Sequence, residues 1–447
     1  MIRSAIALLA ALTLSACAAT DPVTIEPALA APPVYATDLP PSGIDREWWL
    51  GFGDPVLDRL IRQGLEANLD IDAAADRLAA AGALLRAERA DRLPSLDGSA
   101  DAGVALANDS EVTAGAGLFG LFNPDINGRL AAEIRAAAAD YAERDYLLAD
   151  QRRIVAAAIA SQYIELRRTG AQLDLLDQST ELQERTLRIV TLRFEAGLAA
   201  NLDVRRAAAD LAQTRARRGL IAIARAEADN ALAVLLAEPP GTVSVAAEGA
   251  ADIPDYGRGP PAGVPADLLR RRTDLLASEA RLARAAADIG IEQADLRPSL
   301  TIPGSLGLGD GSLGGLFGDF LLTLGAAIDL PLFDGGRRRA EVDAAQAEAQ
   351  ARLAEYRATF LQSLGEVENA LVAIDAYRRR NADLVEAIEE SETALSQSNA
   401  LYREGLTTLF DVLDAQRQLI ASRQALIDSE AALAGAYVAF HAAIGSD

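Results

Sequence analysis

Phe194-Glu195-Ala196-Gly197-Leu198, closing at Asp203-Val204, recurs as Tyr402-Arg403-Glu404-Gly405-Leu406, closing at Asp411-Val412. Outward from there, Asp91-Arg92-Leu93-Pro94-Ser95-Leu96 recurs as Asp295-Leu296-Arg297-Pro298-Ser299-Leu300. The shifts are 208 (Gly197 to Gly405) and 204 (Ser95 to Ser299), so two repeats of roughly 200 residues make up most of the chain. That period is far longer than the ~20–50 residues of stacked solenoid units and marks a duplicated unit. Each copy runs from a Pro-Ser-Leu junction through a Gly-rich segment to a Gly-Arg junction (Gly128-Arg129, Gly336-Arg337) that opens a long helical stretch.

Arg129 to Gly197 and Arg337 to Gly405 are each 68 residues apart, and neither interval contains proline. At ~1.5 Å per residue, a continuous helix of that length reaches about 100 Å. Such a rod must pack against other rods. Leu173, Leu176, Leu187, Val190 and Phe194 fall on alternating steps of three and four, with Thr180 and Gln183 filling the gaps, and Leu175, Leu182 and Ile189 form a second stripe. Two stripes on one helix predict two neighbours, as in a ring of helices. Beyond the second tip, Val412, Leu419, Leu426 and Leu433 repeat at seven, the spacing that keeps helices coiled about each other. Gly197 and Gly405 mark the reversals. Shorter arms return from Asp203 to Leu236 and from Asp411 to Ile444, and further helices are expected near Asp54–Arg89 and Asp267–Gln293.

Phe320 to Leu330 alternates with period two over a length that suits a ~9–11-residue barrel strand or an ordinary soluble hairpin. The equivalent around Glu111 to Phe122 alternates poorly, and the duplication is what argues for it. Beyond the N-terminal leader no stretch reaches the ~18 apolar residues of a spanning helix, so any passage through a membrane must use strands.

The N-terminus reads as a lipoprotein signal: Arg3, an apolar run from Ala5 to Leu14, then Leu14-Ser15-Ala16-Cys17. Cys17, the sole cysteine, is the expected lipid attachment point, which leaves no disulfide. Loss of residues 1–16 removes Arg3 and takes the charge from −23 to −24, an acidic balance that excludes nucleic acid as partner. Every basic residue is arginine. No phosphate loop or metal-ligand cluster stands out, and His441, the single histidine, reads as structural, so the chain is not expected to be an enzyme. Trp48 and Trp49 read as packing residues rather than a ligand site. Arg337, Arg338 and Arg339 sit at a helix start, against its dipole, and face either acidic neighbours or headgroups.

Four stretches carry a family resemblance: Trp48-Trp49 with Phe52-Gly53-Asp54-Pro55, Leu57, Leu60 and Ile61; Leu235-Leu236 before Pro239-Pro240-Gly241; Gly263 to Arg271; and Asp411-Val412-Leu413-Asp414-Ala415-Gln416. In order and spacing the chain resembles the TolC-like outer-membrane factors, in their lipoprotein branch. Ala18 after Cys17, by resemblance to Gram-negative lipoproteins, favours the outer membrane. The resemblance implies a mostly α fold with a β-barrel part, in which two structural repeats of long antiparallel helices plus β-hairpins form a trimeric 12-stranded outer-membrane β-barrel continuous with a periplasmic α-helical barrel. The expected organisation is a signal over 1–16, a lipidated extended segment over 17–53, a first repeat over 54–241 (hairpin about 95–122, tip at Gly197), a linker over 242–266 and a second repeat over 267–447 (hairpin about 299–332, tip at Gly405). The first hairpin departs from the family in being short and rich in Gly and Ala.

The implied function is a passive duct in a tripartite efflux system, exporting drugs, toxic compounds or metal ions. Its partners would be two further copies, a periplasmic membrane-fusion adaptor, an inner-membrane transporter of the RND type and outer-membrane lipid, with no cofactor besides the lipid on Cys17. A type I protein secretion duct, or a peripheral coiled-coil lipoprotein without a pore, are the competing readings; the last leaves the duplicated hairpins unused. Asp411 and Asp414 share a helix face opposite Val412 and Leu413, which alone suits either a solvated face or a lumen ring. The resemblance makes them carboxylates of the periplasmic entrance, and Tyr402 and Asp203 a closing pair. Gly197-Leu198 and Gly405-Leu406 would dock the adaptor, turn the chain, or both.

Overall fold

The computed structural model describes residues 23–25, 47–106, 110–241, 252–257, 271–308 and 320–445. Among the described residues, after a 3-10 turn at Trp48–Phe52, seven α-helices run α1 (Pro55–Ala67), α2 (Leu69–Ala90), α3 (Arg129–Glu195), α4 (Asn201–Leu235), α5 (Thr273–Ala294), α6 (Arg337–Arg403) and α7 (Leu409–Ala443). The strands are β1 (Ser95–Leu106), β2 (Ser110–Phe122), β3 (Ser299–Leu308), β4 (Phe320–Leu324) and β5 (Ala327–Asp329). The two 67-residue helices occupy the proline-free intervals. None of the described helices is long and apolar enough to cross a membrane.

Two compact units divide the chain, and each draws on both halves of the sequence: residues 1–29, 75–147 and 274–359 form one, and 30–74, 148–273 and 360–447 the other. The first unit holds the sheet, in the order β1-β2-β3-β4 with every pairing antiparallel. β2 and β3 join the two repeats, with Ala116 opposite Leu308 and Phe122 opposite Ile302. The strand expected over Phe320 to Leu330 is broken in two. Gly304 faces Leu324 and Thr301 faces Ala327, which is one register, so the gap falls opposite Pro303. Proline has no N–H to give the ladder, and only Gly325 N–H to Pro303 O (3.0 Å) remains there. In the same unit, α3 and α5 run side by side, with Arg281 on Glu143 at 2.6 Å and Arg284 on Asp140 at 2.6 Å. Val23 and Ile25 pack on Ala285, Ile289 and Ala349.

Acceptor side chains start these helices. Asp125 takes the Leu130 and Ala131 N–H groups at 2.8 Å each. Asp334 takes Gly336 and Arg338 N–H at 2.9 and 3.2 Å. Its charge, with the Arg337–Glu341 pair at 2.8 Å and Arg338 at 3.7 Å from Asp334, offsets two of the three arginines at the start of α6.

In the second unit the helix expected from Asp54 to Arg89 is interrupted at Asn68. Its Oδ1 accepts from Asp70 and Ile71 N–H (3.0 and 3.2 Å), starting α2, while its Nδ2 donates to Leu235 O at 2.9 Å, closing α4. One buried amide thus serves two helix ends. Of the helix expected from about Asp267, residues 267–270 lie outside the described residues; α5 runs from Thr273, and the buried Arg272 before it donates to Glu366 (2.8 Å) and Ala443 O (2.7 Å). Trp48 lies at 1 % exposure, stacked on His441 with ring centres 5.3 Å apart and 9° between planes. Phe52, Tyr256 and Tyr437 extend the cluster. His441 and the two tryptophans are core.

Candidate functional site: the helix tips and their acidic face

Both tips close the same way. Gly197 (φ 73°) and Gly405 (φ 76°) adopt the left-handed conformation, and Leu198 and Leu406 N–H reach back five residues to Arg193 O and Leu401 O at 2.7 and 2.9 Å. This is the Schellman closure, which a β-carbon would strain. Leu198 and Leu406 are left 69 % and 73 % exposed. Below them Val190, Leu395, Leu409, Val412, Leu413 and Leu419 form a buried seam from α3, α6 and α7, with Val204 of α4 packed on it.

The return helices start differently. At the second tip Thr408 and Asp411 make a reciprocal capping box. Asp411 Oδ2 accepts from Thr407 Oγ1 (2.6 Å), Thr408 Oγ1 (2.6 Å) and Thr408 N–H (3.0 Å). At the first tip Ala200 stands where Thr408 does and offers no side-chain bond, so its repeat mate Asp203 lacks that hydroxyl. Asp203 instead lies 3.9 Å from Arg206.

The hydroxyls and backbone amide hold Asp411 down at about 2, against an ordinary 3.8. A depressed carboxyl contributes stability that is complete above its unfolded value and is lost as pH falls through the folded one. Amide protection at residues 408–411, taken relative to the intrinsic exchange rate at each pH, is therefore expected to be full above about pH 4 and to fall as pH drops towards 2. In Thr407→Ala plus Thr408→Ala protection should already be lower at pH 7 and should change little across the same window. A double variant that keeps both the neutral-pH protection and its loss between pH 4 and 2 would contradict the cap assignment.

Asp414 points to solvent with Arg417 at 3.6 Å, and Arg417 also lies 3.9 Å from Asp210 and over the Phe410 ring. The acidic face thus carries its own cation, which the sequence reading missed. Arg417, Asp210, Gln424 and Asp428 line an adjoining cleft of about 520 Å³.

Tyr402 and Asp203 are brought to the same tip without a hydrogen bond. The Tyr402 hydroxyl is buried and bonds no partner among the described residues. Burial and the nearby Asp203 charge push it above its ordinary value, against Arg193, whose guanidinium lies 4.8 Å over the ring. Arg193 also donates to Tyr402 O at 3.3 Å, closing the end of α6. The repeat mate of Tyr402 is Phe194, so a hydroxyl exists at this place only once per chain. Thr408 was legible as Thr-x-x-Asp before an apolar run, and Arg417 as the cation three residues after Asp414; Arg193 carried no comparable mark.

Among the described residues no group of His, Cys, Asp and Glu could hold a metal ion. Cys17, the leader and the Gly263–Arg270 stretch lie outside the described residues.

A sequence profile of the family described as outer membrane efflux protein matches residues 60–238 and 264–446, one segment in each repeat. Over 98 % of this chain and 95 % of the relative, the sequence is 30 % identical to the pyoverdine export outer membrane protein OpmQ of Pseudomonas aeruginosa. It is 28 % identical to the toluene efflux pump outer membrane protein TtgI of Pseudomonas putida, across 88 % of this chain and 86 % of that one. The structure superposes on the open-state MtrE outer membrane channel of Neisseria gonorrhoeae with a TM-score of 0.87 at 26 % identity, covering 96 % of this chain and 98 % of that chain. Duplicated sequence, long paired helices, a four-stranded ribbon and these likenesses agree: the chain belongs to the outer membrane efflux protein family, whose members are channels of the Gram-negative outer membrane reaching into the periplasm.

Proposed function

We propose that three copies of this chain form the passive outer-membrane duct of a tripartite efflux system for small solutes, lipid-anchored through Cys17, without a cofactor. The observation that carries the reading is a sheet whose edges β1 and β4–β5 are unpaired among the described residues, with Phe320, Leu321, Leu322, Leu324 and Ile328 exposed along β4–β5. An open apolar edge is a liability that barrel closure removes, and four strands from each of three copies make the twelve of a barrel. In this reading the exposed Gly197-Leu198 and Gly405-Leu406 tips receive a periplasmic membrane-fusion adaptor, which links the duct to an inner-membrane transporter of the RND type. The relatives' differing cargoes, pyoverdine and toluene, support small organic compounds as the transported class.

Asp411 and Asp414 would ring the periplasmic mouth, six carboxylates in three copies, focusing cations. In planar bilayers Asp411→Ala plus Asp414→Ala should lower cation selectivity, and Arg417→Ala, which uncovers Asp414 and Asp210, should raise it. Unchanged selectivity in both would refute the ring. The buried, unbonded Tyr402 hydroxyl and the nearby Asp203 would bond when the tip closes. A hydrogen bond to a charged group contributes about 1.5–3 kcal/mol. Tyr402→Phe should then raise open probability at least about tenfold. An unchanged open probability would refute the latch.

A further inference from the structure

Helix faces of the second unit border the cleft beside Arg417. On α4, Asp210, Thr214 and Arg217 recur at the three- and four-residue steps that put side chains on one face; on α7, Arg417, Ile420, Gln424 and Asp428 do the same. Gln183 reaches the cleft from α3 and Arg380 from α6. Beside this space of about 520 Å³ lies another of about 320 Å³, which shares Thr214, Arg217, Ile420 and Gln424 with it. Leu175, Leu176 and Ile221 floor the smaller one. Arg217 thus stands between a polar chamber and an apolar one.

The arginines here are not alike. Arg215 and Arg218 of α4 hold Glu184 and Asp177 of α3. Arg217, between them, lines the cleft and has no ion pair or hydrogen bond among the described residues. On α6, Arg379 holds Asp375 at 2.6 Å and Arg378 lies over the Tyr437 ring, whereas Arg380 lines the cleft and is likewise unpaired. The two carboxylates of the cleft already have partners: Asp428 has Arg168 at 2.9 Å and Gln172 at 2.7 Å, and Asp210 has Arg417 at 3.9 Å. So, in a chain of net charge −23, two cations without counterions among the described residues share one cavity. Gln183 is 4 % exposed, yet its Oε1 has no hydrogen-bond partner. A buried acceptor left unbonded is costly, and the cleft is the side from which a donor can reach it.

We propose that this cleft binds a small amphiphilic organic acid: its carboxylate held by Arg217 and Arg380, an adjacent N–H or O–H given to Gln183 Oε1, and its apolar body laid on Leu175, Leu176, Ile221 and Ile420. Guanidinium groups hold planar oxyanions through paired N–H donors, and an apolar floor with a few placed polar groups is how small-ligand sites are built. A purely apolar guest would leave both guanidinium groups unanswered. An inorganic anion would leave the apolar chamber empty, and a cation is opposed by both arginines. The site lies on the helices and asks nothing of the pore.

Dansylglycine carries the carboxylate, the adjacent N–H and the apolar body, and its fluorescence rises in apolar surroundings. Full-length protein in detergent-free lipid discs, with empty discs as the blank, should bind it saturably. Dansylglycinamide, which lacks the charge, should bind about tenfold more weakly or worse. Arg217→Gln and Arg380→Gln should each cost dansylglycine a similar factor and leave the amide's affinity unchanged. Dansylsarcosine, whose nitrogen bears no hydrogen, should lose about threefold or more. Both arginines are exposed, so the variants keep the fold, which helical circular dichroism checks. Dansylglycine and dansylglycinamide bound alike, or a dansylglycine affinity unmoved in both arginine variants, overturns the site and leaves the duct reading intact.

Discussion

Trp48→Ala is expected to cost about 3–5 kcal/mol of stability, as large-to-small changes of buried aromatics do. The ring is almost wholly buried, with its face on His441 and edge contacts to Trp49 and Phe52 at 5.9 and 6.3 Å between centres. Tyr256 and Tyr437, 4.4 Å apart, stand behind His441, so few side chains can move into the space. His441 would also lose the plane that covers it. Denaturant titration of the detergent-solubilised protein, followed by helical circular dichroism, reads the effect, and His441→Phe should cost less because it keeps a stacked ring. A Trp48→Ala loss under about 1 kcal/mol would mean that this aromatic cluster is not what holds the Trp48–Phe52 segment.

Asp54→Ala is the second large effect, expected at about 2–4 kcal/mol from two sources. Oδ1 caps α1, accepting from Val56 and Leu57 N–H at 2.8 and 3.2 Å. Oδ2 accepts from the Tyr163 hydroxyl at 2.5 Å, and that hydroxyl accepts from Arg167 Nε at 2.8 Å. Tyr163 is fully buried, and burial with the adjacent carboxylate drives its hydroxyl far above the usual range, so it must remain a donor. Losing Asp54 removes a cap, typically about 1 kcal/mol, and strands a buried donor, about 1–3 kcal/mol. In a Tyr163→Phe background only the cap remains to lose. Equal costs in both backgrounds would show that the Tyr163 bond contributes nothing.

The long helices were legible because their determinants are local: no proline over 68 residues, seven-residue apolar stripes, and a glycine that can turn left-handed at each end. The strands were less so. Phe320 to Leu330 alternates except at Leu321 and Ala327, and the break between β4 and β5 falls opposite Pro303 of the neighbouring strand. β1 and β2 alternate poorly yet form 12- and 13-residue strands, because cross-strand bonds to each other and to β3 supply what Gly and Ala side chains lack. The division at Asn68 depends on Leu235, 167 residues away. At the tip the acidic face was readable from helical spacing. The arginine that screens Asp414 stands three residues on along the same helix, a spacing the sequence carries, whereas the ring-stacked Arg193 beside Tyr402 follows from the register between α3 and α6, which pattern alone does not set.

The central claim is a self-assembled pipe. The most direct measurement joins native mass spectrometry of the purified, detergent-extracted protein to single-channel recording of the same preparation. Three chains per particle, with stepwise ion currents after insertion into a bilayer, is the predicted result. A preparation of single chains that never carries current would contradict it.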